Sequence, residues 1–368
     1  MSKAAELANL IGNINAGGGG VNRNIIINGA MNVSARGTSF TTVANNEYTL
    51  DRFNYRKSND GEVTITQDSS APDGFSNSLK VDVTTADTSI GAGQFSMIEY
   101  NVEAQDLQRL AFGTSSAKNF TLSFYVKSNK TGTYAVNIEQ DDNSSKQATL
   151  NYTINSANTW ERKSLTFTGD TSGVINDDNG RGFIIYWWLA VGSTFTSGGS
   201  TSASFQTYSN ANSAAGHAVN FLDSTDNEWF ITGVQLEVGQ NPTEFEHEPF
   251  ERTLQKCLRY TFVHQTDVAY GFASLSGFIA DSTTTLNLYQ FPVEMRAIPT
   301  LAVSGTFQSV TGHSGNAIEV SSGFTIQQPN THNARVDATL SSSNTLGRYS
   351  ALRNLNDSDA KITFDAEL

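Results

Sequence analysis

Cysteine is almost missing from this chain. Cys257 stands alone among 368 residues, which excludes an internal disulfide framework and any zinc cluster built on cysteine. Charge is scarce as well: charged residues make up 16%, where an average domain carries about 25%. The balance is 23 Lys and Arg against 36 Asp and Glu, a net charge of −13. Without a basic stripe to track phosphates, a nucleic-acid partner is excluded, and the same sign works against an anionic membrane surface. No apolar run approaches the ~18 residues of a spanning helix. The first residues also lack the basic-then-apolar pattern of a secretory leader, so neither membrane insertion nor Sec export is expected. Chemistry-bearing motifs are absent too. His217, His247, His264, His313 and His332 are scattered, with no His-Glu-x-x-His pair and no Gly-x-Ser-x-Gly elbow. No enzyme activity, cofactor or metal is therefore assigned. The acidic turns 139–143 and 177–180 carry oxygens of the kind calcium accepts, but without EF-hand spacing, and turns favour these residues anyway.

Ser, Thr, Asn and Gly replace the missing charges. That mixture suits turns and exposed strand faces and makes poor helices, so an all-β fold is expected. At this length two domains are expected rather than one core. Ala4, Leu7, Leu10, Ile11 and Ile14 recur at helical spacing. So short a helix is marginal alone, which makes Leu7, Leu10 and Ile11 candidates for an anchor. The glycines at 17–20 then read as a flexible joint. Residues 22–38 read as a hairpin turning at Asn28-Gly29, and 48–55 as one strand. Strand-length runs recur at 79–83, 95–100, 120–127, 134–140, 160–168, 183–191 and 229–238, which suggests a jelly-roll β-sandwich. The stretch 192–220 reads as one large surface loop. Pro249 opens a short helix with Glu248 and Glu251 at its start and Lys256 and Arg259 at its end, and this helix seats Cys257 as a small buried side chain. Further strands, among them 269–280, 284–291, 300–305, 323–328, 334–340 and 361–368, make a second, smaller β-sandwich. The expected plan is an N-terminal helix and joint over 1–20, a jelly roll over 21–247, a linking helix over 248–260 and a distal β domain over 261–368.

Alternation assigns strand faces. Leu122, Phe124 and Val126 go inward and Tyr125 outward; Val136 and Ile138 go inward, Asn137 and Glu139 outward. On 183–191, Phe183, Ile185, Trp187, Leu189 and Val191 form one apolar face, leaving Tyr186 and Trp188 opposite. Aromatic faces offer contact to sugar rings while amides and carboxylates take hydroxyls. Tyr125, Asn137, Glu139, Tyr186 and Trp188 are thus candidate glycan or receptor contacts, with packing beneath the long loop or against another subunit as the competing role for Tyr186 and Trp188.

The segments NIIINGAMNVSARGTSF, YTLDRFNY, ITGVQLEVGQNPTEFEHEPFERTLQKCLRY, FPVEMRAIPTL and ITFDAEL resemble, in that order, tail-fibre and receptor-binding proteins of tailed bacteriophages. FTLSFYVKSNKTGTYAVNIEQ, NTWERKSLTFTGDTSG and IIYWWLAVGS resemble carbohydrate-binding modules of the jelly-roll type. The first resemblance implies a virion protein, usually a homotrimer, joined to other phage tail or capsid proteins through its N-terminus with its C-terminal part outward; with the aromatic face, the leading expectation is contact with host-surface glycan. Lacking a coiled-coil or β-helical shaft, it would be a compact appendage. A decoration protein that binds no receptor, and a glycan depolymerase working through paired carboxylates, are the other readings.

Overall fold

The computed structural model describes residues 2–5, 7–8, 22–142, 146–274, 276–311 and 317–368. The architecture is almost all-β, with few and short helices. Residues up to Thr253, with Leu368, form one compact unit, and Leu254–Glu367 form another. Lys3–Ala5 and Leu7–Ala8 are helical, and Leu7 is exposed; Leu10 and Ile11 lie outside the described residues. Among the described residues no helix is long and apolar enough to cross a membrane.

The first unit is a sandwich of two sheets. One runs in the order β1 (Ser39–Phe40), β4 (Glu62–Asp68), β5 (Ser78–Thr85), β13 (Glu228–Val238), β7 (Phe120–Ser128) and β10 (Glu161–Phe167). The other runs β12 (Ser202–Thr207), β9 (Lys146–Ile154), β8 (Gly132–Gln140), β11 (Arg181–Val191), β6 (Phe95–Glu103), β3 (Phe53–Lys57) and β2 (Glu47–Tyr48). The inward faces are those that alternation selects: Leu122, Phe124, Val126, Val136, Ile138, Phe183, Ile185, Trp187 and Leu189 are fully buried in one core. A bulge between Trp188 and Ala190 breaks the pattern. Beyond it Ala190 joins the core, while Val191, expected inward, packs with Trp188 on the outer side.

Two expected strands form differently. Residues 48–55 fold into a tight hairpin, because Phe53 N donates to Leu50 O at 2.9 Å and Arg52 takes φ +76°. The 22–38 hairpin does not form, because asparagine side chains take over the backbone bonds a partner strand would make. Asn28 bonds both the N–H (2.9 Å) and the C=O (2.8 Å) of Val33. Asn24 accepts from Leu236 N (3.0 Å) and donates to Val234 O (3.1 Å). The segment therefore lies along the end of β13, with Val234 N donating to Gly29 O at 2.9 Å. A Cβ on Gly29 would sit 2.0 Å from Val234 O, so only glycine admits this approach. The residues after β13 lock the arrangement. The Glu237 carboxylate accepts from Thr243 N and Oγ1 (both 2.7 Å), Gln235 Oε1 accepts from Glu246 N (2.8 Å), and Glu246 accepts from the backbone of Asn22 (2.6 Å) and Asn24 (2.8 Å).

The helix Phe250–Leu258 follows Pro249 and holds Cys257 buried. The second unit carries a three-stranded sheet, β14 (Thr261–Gln265), β23 (Lys361–Asp365) and β18 (Thr300–Ser304). Its larger sheet runs β15 (Phe272–Ser274), β22 (Ala351–Asn354), β19 (Phe307–Val310), β20 (Ala317–Gln327), β21 (Asn333–Leu340), β17 (Thr284–Gln290) and β16 (Gly277–Asp281). The single strand expected over 269–280 is thus two, and they belong to opposite ends of one sheet. That sheet curls back on itself: Ile279 N bonds Arg348 O and Ser350 N bonds Gly277 O, each at 2.9 Å.

Candidate functional site

Strand register lays out the outer face of the seven-stranded sheet in the first unit as rows. Cα pairing places Asn151, Ala135, Trp188, Met97 and Arg56 side by side across β9, β8, β11, β6 and β3, with Trp188 opposite Ala135 by extension of the β8–β11 register. The next row is Thr149, Asn137, Tyr186, Glu99 and Asn54. The third begins with Gln147, Glu139 and Ile184. Ala135 is the small residue in a row of large ones and packs with Trp188, Met97 and Ala214 in one buried cluster.

The stretch after β11 folds back over this face. It is not the plain loop expected over 192–220, since it contains β12, paired with β9, and a short helix, Asn210–Ser213. Polar side chains of β9 tie it down: Gln147 Nε2 donates to Ser209 O (2.7 Å) and Thr149 Oγ1 to Asn212 O (2.9 Å). His217 binds the edge of β8, its Nδ1 accepting from Ala135 N at 3.2 Å, which leaves Nε2–H to donate to Val219 O at 2.6 Å. Phe195 closes over Trp188, ring centroids 5.4 Å apart, and Phe95 meets both rings edge-on.

Between floor and cover lies a cleft of about 150 Å³, floored by Arg56, Met97, Asn137, Glu139, Tyr186 and Trp188, with Phe195, Tyr208 and Ser213 on the covering side. Arg56 Nη1 pairs with Glu99 Oε2 at 2.7 Å. Burial, and then the charges of Glu99 and Glu139, push the Tyr186 hydroxyl far above the usual phenol range, so it stays protonated. Asn137 Nδ2 donates to Thr149 Oγ1 at 2.8 Å, whereas Asn137 Oδ1, Trp188 Nε1 and Arg56 Nε are buried without a partner. Buried polar atoms of this kind occur elsewhere among the described residues too, Trp187 Nε1 and Trp229 Nε1 in the core among them, and at a cleft a water or another molecule can complete the bonding. The volume is about half the ~300 Å³ at which pockets begin to enclose drug-sized ligands. One ring or a chain end is the scale of what it holds.

No family model matches the chain, and no curated protein matches it. Among solved structures, the enzymatically active domain of tailspike protein 4 of bacteriophage CBA120 is similar at 12% identity and TM-score 0.30, over 54% of this chain and 21% of the tailspike chain. The family 11 carbohydrate-binding module of a Clostridium thermocellum cellulosomal cellulase is similar at 12% identity and TM-score 0.29, over 56% of this chain and 98% of the module. The CBM22-1 and GH10 modules of a Clostridium thermocellum xylanase, complexed with xylohexaose, match at 11% identity and TM-score 0.31, over 59% and 29%. At that level of overlap the cleft itself, not the likeness, has to carry any reading of function.

Of the candidate contacts, Asn137, Glu139, Tyr186 and Trp188 come together in this cleft. Tyr125 does not join them. It lies on β7, in the opposing sheet of the sandwich, and outward faces of opposed sheets point away from each other. There it packs on Phe75 (5.4 Å), above Gly233, whose φ of +61° and bare Cα leave room for both rings. Trp188 is corrected in a different way. It is 3% exposed, a packed wall of the cleft under Phe195, not an open platform. Tyr186 and Glu139 remain half-buried and reachable. Arg56, Met97 and Glu99 were missed, although the alternation FNYRK–FSMIEY already put them on outward faces. Among the described residues no three His, Cys, Asp or Glu converge as metal ligands do. In the acidic turns, Asp178 Oδ1 accepts from Gly180 N (2.8 Å), which closes its own turn, and Asp142 accepts from Asn176 N (3.0 Å), which ties the two segments together.

Proposed function

We propose that this chain is a non-catalytic glycan-binding protein of a phage particle, a compact tail-fibre or receptor-binding appendage whose cleft over β3, β6, β11 and β8 contacts host-surface carbohydrate. The observation that carries the reading is the convergence in one cleft of a reachable aromatic, Tyr186, with Asn137, Glu139 and Arg56 and with buried polar atoms that have no partner. A sugar ring needs that division of labour between an apolar face and fixed polar groups. The Glu99 carboxylate is already paired with Arg56, which suits it to holding the site together more than to proton transfer.

The virion role is supported by the sequence resemblance to tail-fibre proteins, and attachment through the N-terminus by the amphipathic spacing of residues 4–14. The homotrimer rests on the same resemblance, and self-association in general is supported by an exposed apolar stripe in the second unit. Phe278 (46% exposed) bridges Tyr349 (57%), and Leu288 (56%) lies two residues beyond Leu286, the β17 partner of Phe278. Stripes of this kind mark contact surfaces. The deciding experiment is binding of the purified chain to host-surface polysaccharide, with Tyr186→Ala beside it. We expect parent binding and a loss of about tenfold or more in the variant. Equal binding by both would overturn the cleft as the site.

A further inference from the structure

We infer that the cleft selects sugars carrying an acetamido group. This deepens the glycan reading above and rests on it. The Asn137 amide has a fixed orientation, because Nδ2 donates to Thr149 Oγ1 and also faces Gln147 Oε1 (3.4 Å) and Ala148 O (3.5 Å), all acceptors on β9. Its Oδ1 is consequently turned away from those β9 acceptors, buried and unbonded, on a residue that lines the cleft. Trp188 Nε1 is a donor in the same condition. Asn137 pairs with Tyr186, and Trp188 is the next residue along that face of β11, so the two are diagonal neighbours with Cα atoms about 7–8 Å apart. Phe95, Met97 and Phe195 supply an apolar wall beside them.

An acetamido group offers an N–H, a C=O and a methyl, one for each of these features. A hydroxyl in its place donates and accepts from a single atom, without the two separated polar atoms of an amide, and puts no carbon against the apolar wall. A free amine, protonated, has donors only, so it offers nothing to Trp188 Nε1 and no methyl to the apolar wall. A peptide amide has the right dipoles, but its chain continues on both sides, which a cleft of about 150 Å³ under Phe195 and Tyr208 does not admit. The acetamido group ends in a methyl, and the half-buried Tyr186 ring lies where the attached pyranose would rest.

The test titrates the full chain with methyl glycosides of N-acetylglucosamine, N-acetylgalactosamine and N-acetylmannosamine, each against the parent hexose and the free amine. At least one acetylated sugar should bind about ten- to a hundredfold more tightly than its two matched partners, the range expected when a buried group is left unpaired. Trp188→Phe keeps an aromatic ring and removes the donor. In that variant the preference should shrink to within about threefold. Hexoses binding as tightly as their acetylated forms would overturn acetamido selection while leaving the cleft as a glycan site. Binding of none of the nine sugars would overturn both. An unchanged preference in Trp188→Phe would remove Trp188 from the assignment, and the comparison on the parent chain stands whether or not that variant folds.

Discussion

His217 should make the first unit lose stability in mild acid. The residue is half-buried, yet both ring nitrogens bond backbone groups, and burial pulls its pKa down from 6.5 to about 4 against the opposing pull of the Val219 and Leu189 backbone groups. Protonation would set a second ring N–H against the N–H of Ala135, where the neutral ring now accepts. The folded pKa lies below the unfolded one, so the unfolded chain binds the proton more readily. The stabilisation is therefore complete above the unfolded value and is lost as pH falls from about 6.5 towards 4. Each pKa unit corresponds to about 1.4 kcal/mol, which makes the loss between pH 7.5 and pH 5 about 2 kcal/mol. Few other groups compete in that window. Glu161, held at about 2 by Lys163 and the backbone of Asn155 and Ser156 against the cost of burial, releases its contribution only below the ordinary carboxylate range. All four tryptophans, Trp160, Trp187, Trp188 and Trp229, precede residue 254, so tryptophan fluorescence follows this unit alone. Urea unfolding at the two pH values, for the parent and for His217→Gln, measures the effect. The parent should lose about 2 kcal/mol and the variant less than about 0.5. An equal loss in both would refute the assignment.

Gly29→Ala should destabilise the first unit by about 3 kcal/mol, because its Cβ would meet the Val234 carbonyl at 2.0 Å, while Gly93→Ala, with nothing within 4 Å, should change the thermal midpoint little. Trp188→Ala should cost about 3 to 5 kcal/mol by denaturant unfolding; a change below about 1 kcal/mol would mean the indole is not the packed wall described. Glu246→Gln removes one of the two bonds from the Asn22 and Asn24 backbone N–H groups, weakens the other, and should cost about 1 to 2 kcal/mol, seen as a lower midpoint with an unchanged slope. Deleting residues 2–20 should leave the fluorescence-detected midpoint unchanged and abolish incorporation into particles; normal incorporation would place the anchor elsewhere.

Period-two alternation was enough to tell Tyr186 and Trp188 from Phe183, Ile185 and Trp187, since the core requires every inward position of a strand to be apolar. It could not say which sheet owned Tyr125, because sheet membership depends on pairings between strands far apart in the sequence. Strand β9 was missed, since KQATLNYTI places Gln, Thr and Asn on the outer face where they fasten the returning chain, and polar strands of that kind resemble loops. The cover over Trp188 was equally hidden. Nothing local in a Ser- and Gly-rich run announces that Phe195 will close on an indole already past in the chain. The 22–38 segment misled for a chemical reason: Asn28 in sequence signals a turn, and in the fold its amide substitutes for the partner strand of Val33.

The position of β13 has a consequence for how the molecule is made. It is the last strand of the first unit to leave the ribosome, yet it sits in the middle of its sheet, between β5 and β7. Until residues 228–246 emerge, a nascent chain carries two open strand edges and no partner for residues 22–29, so collapse before that point cannot reach the native pairing. A high contact order and slow folding follow. So does exposure to edge-to-edge association while synthesis is unfinished. Ribosome stalling or truncation just before residue 228 should therefore yield aggregates, whereas release just after residue 253 should yield a folded sandwich.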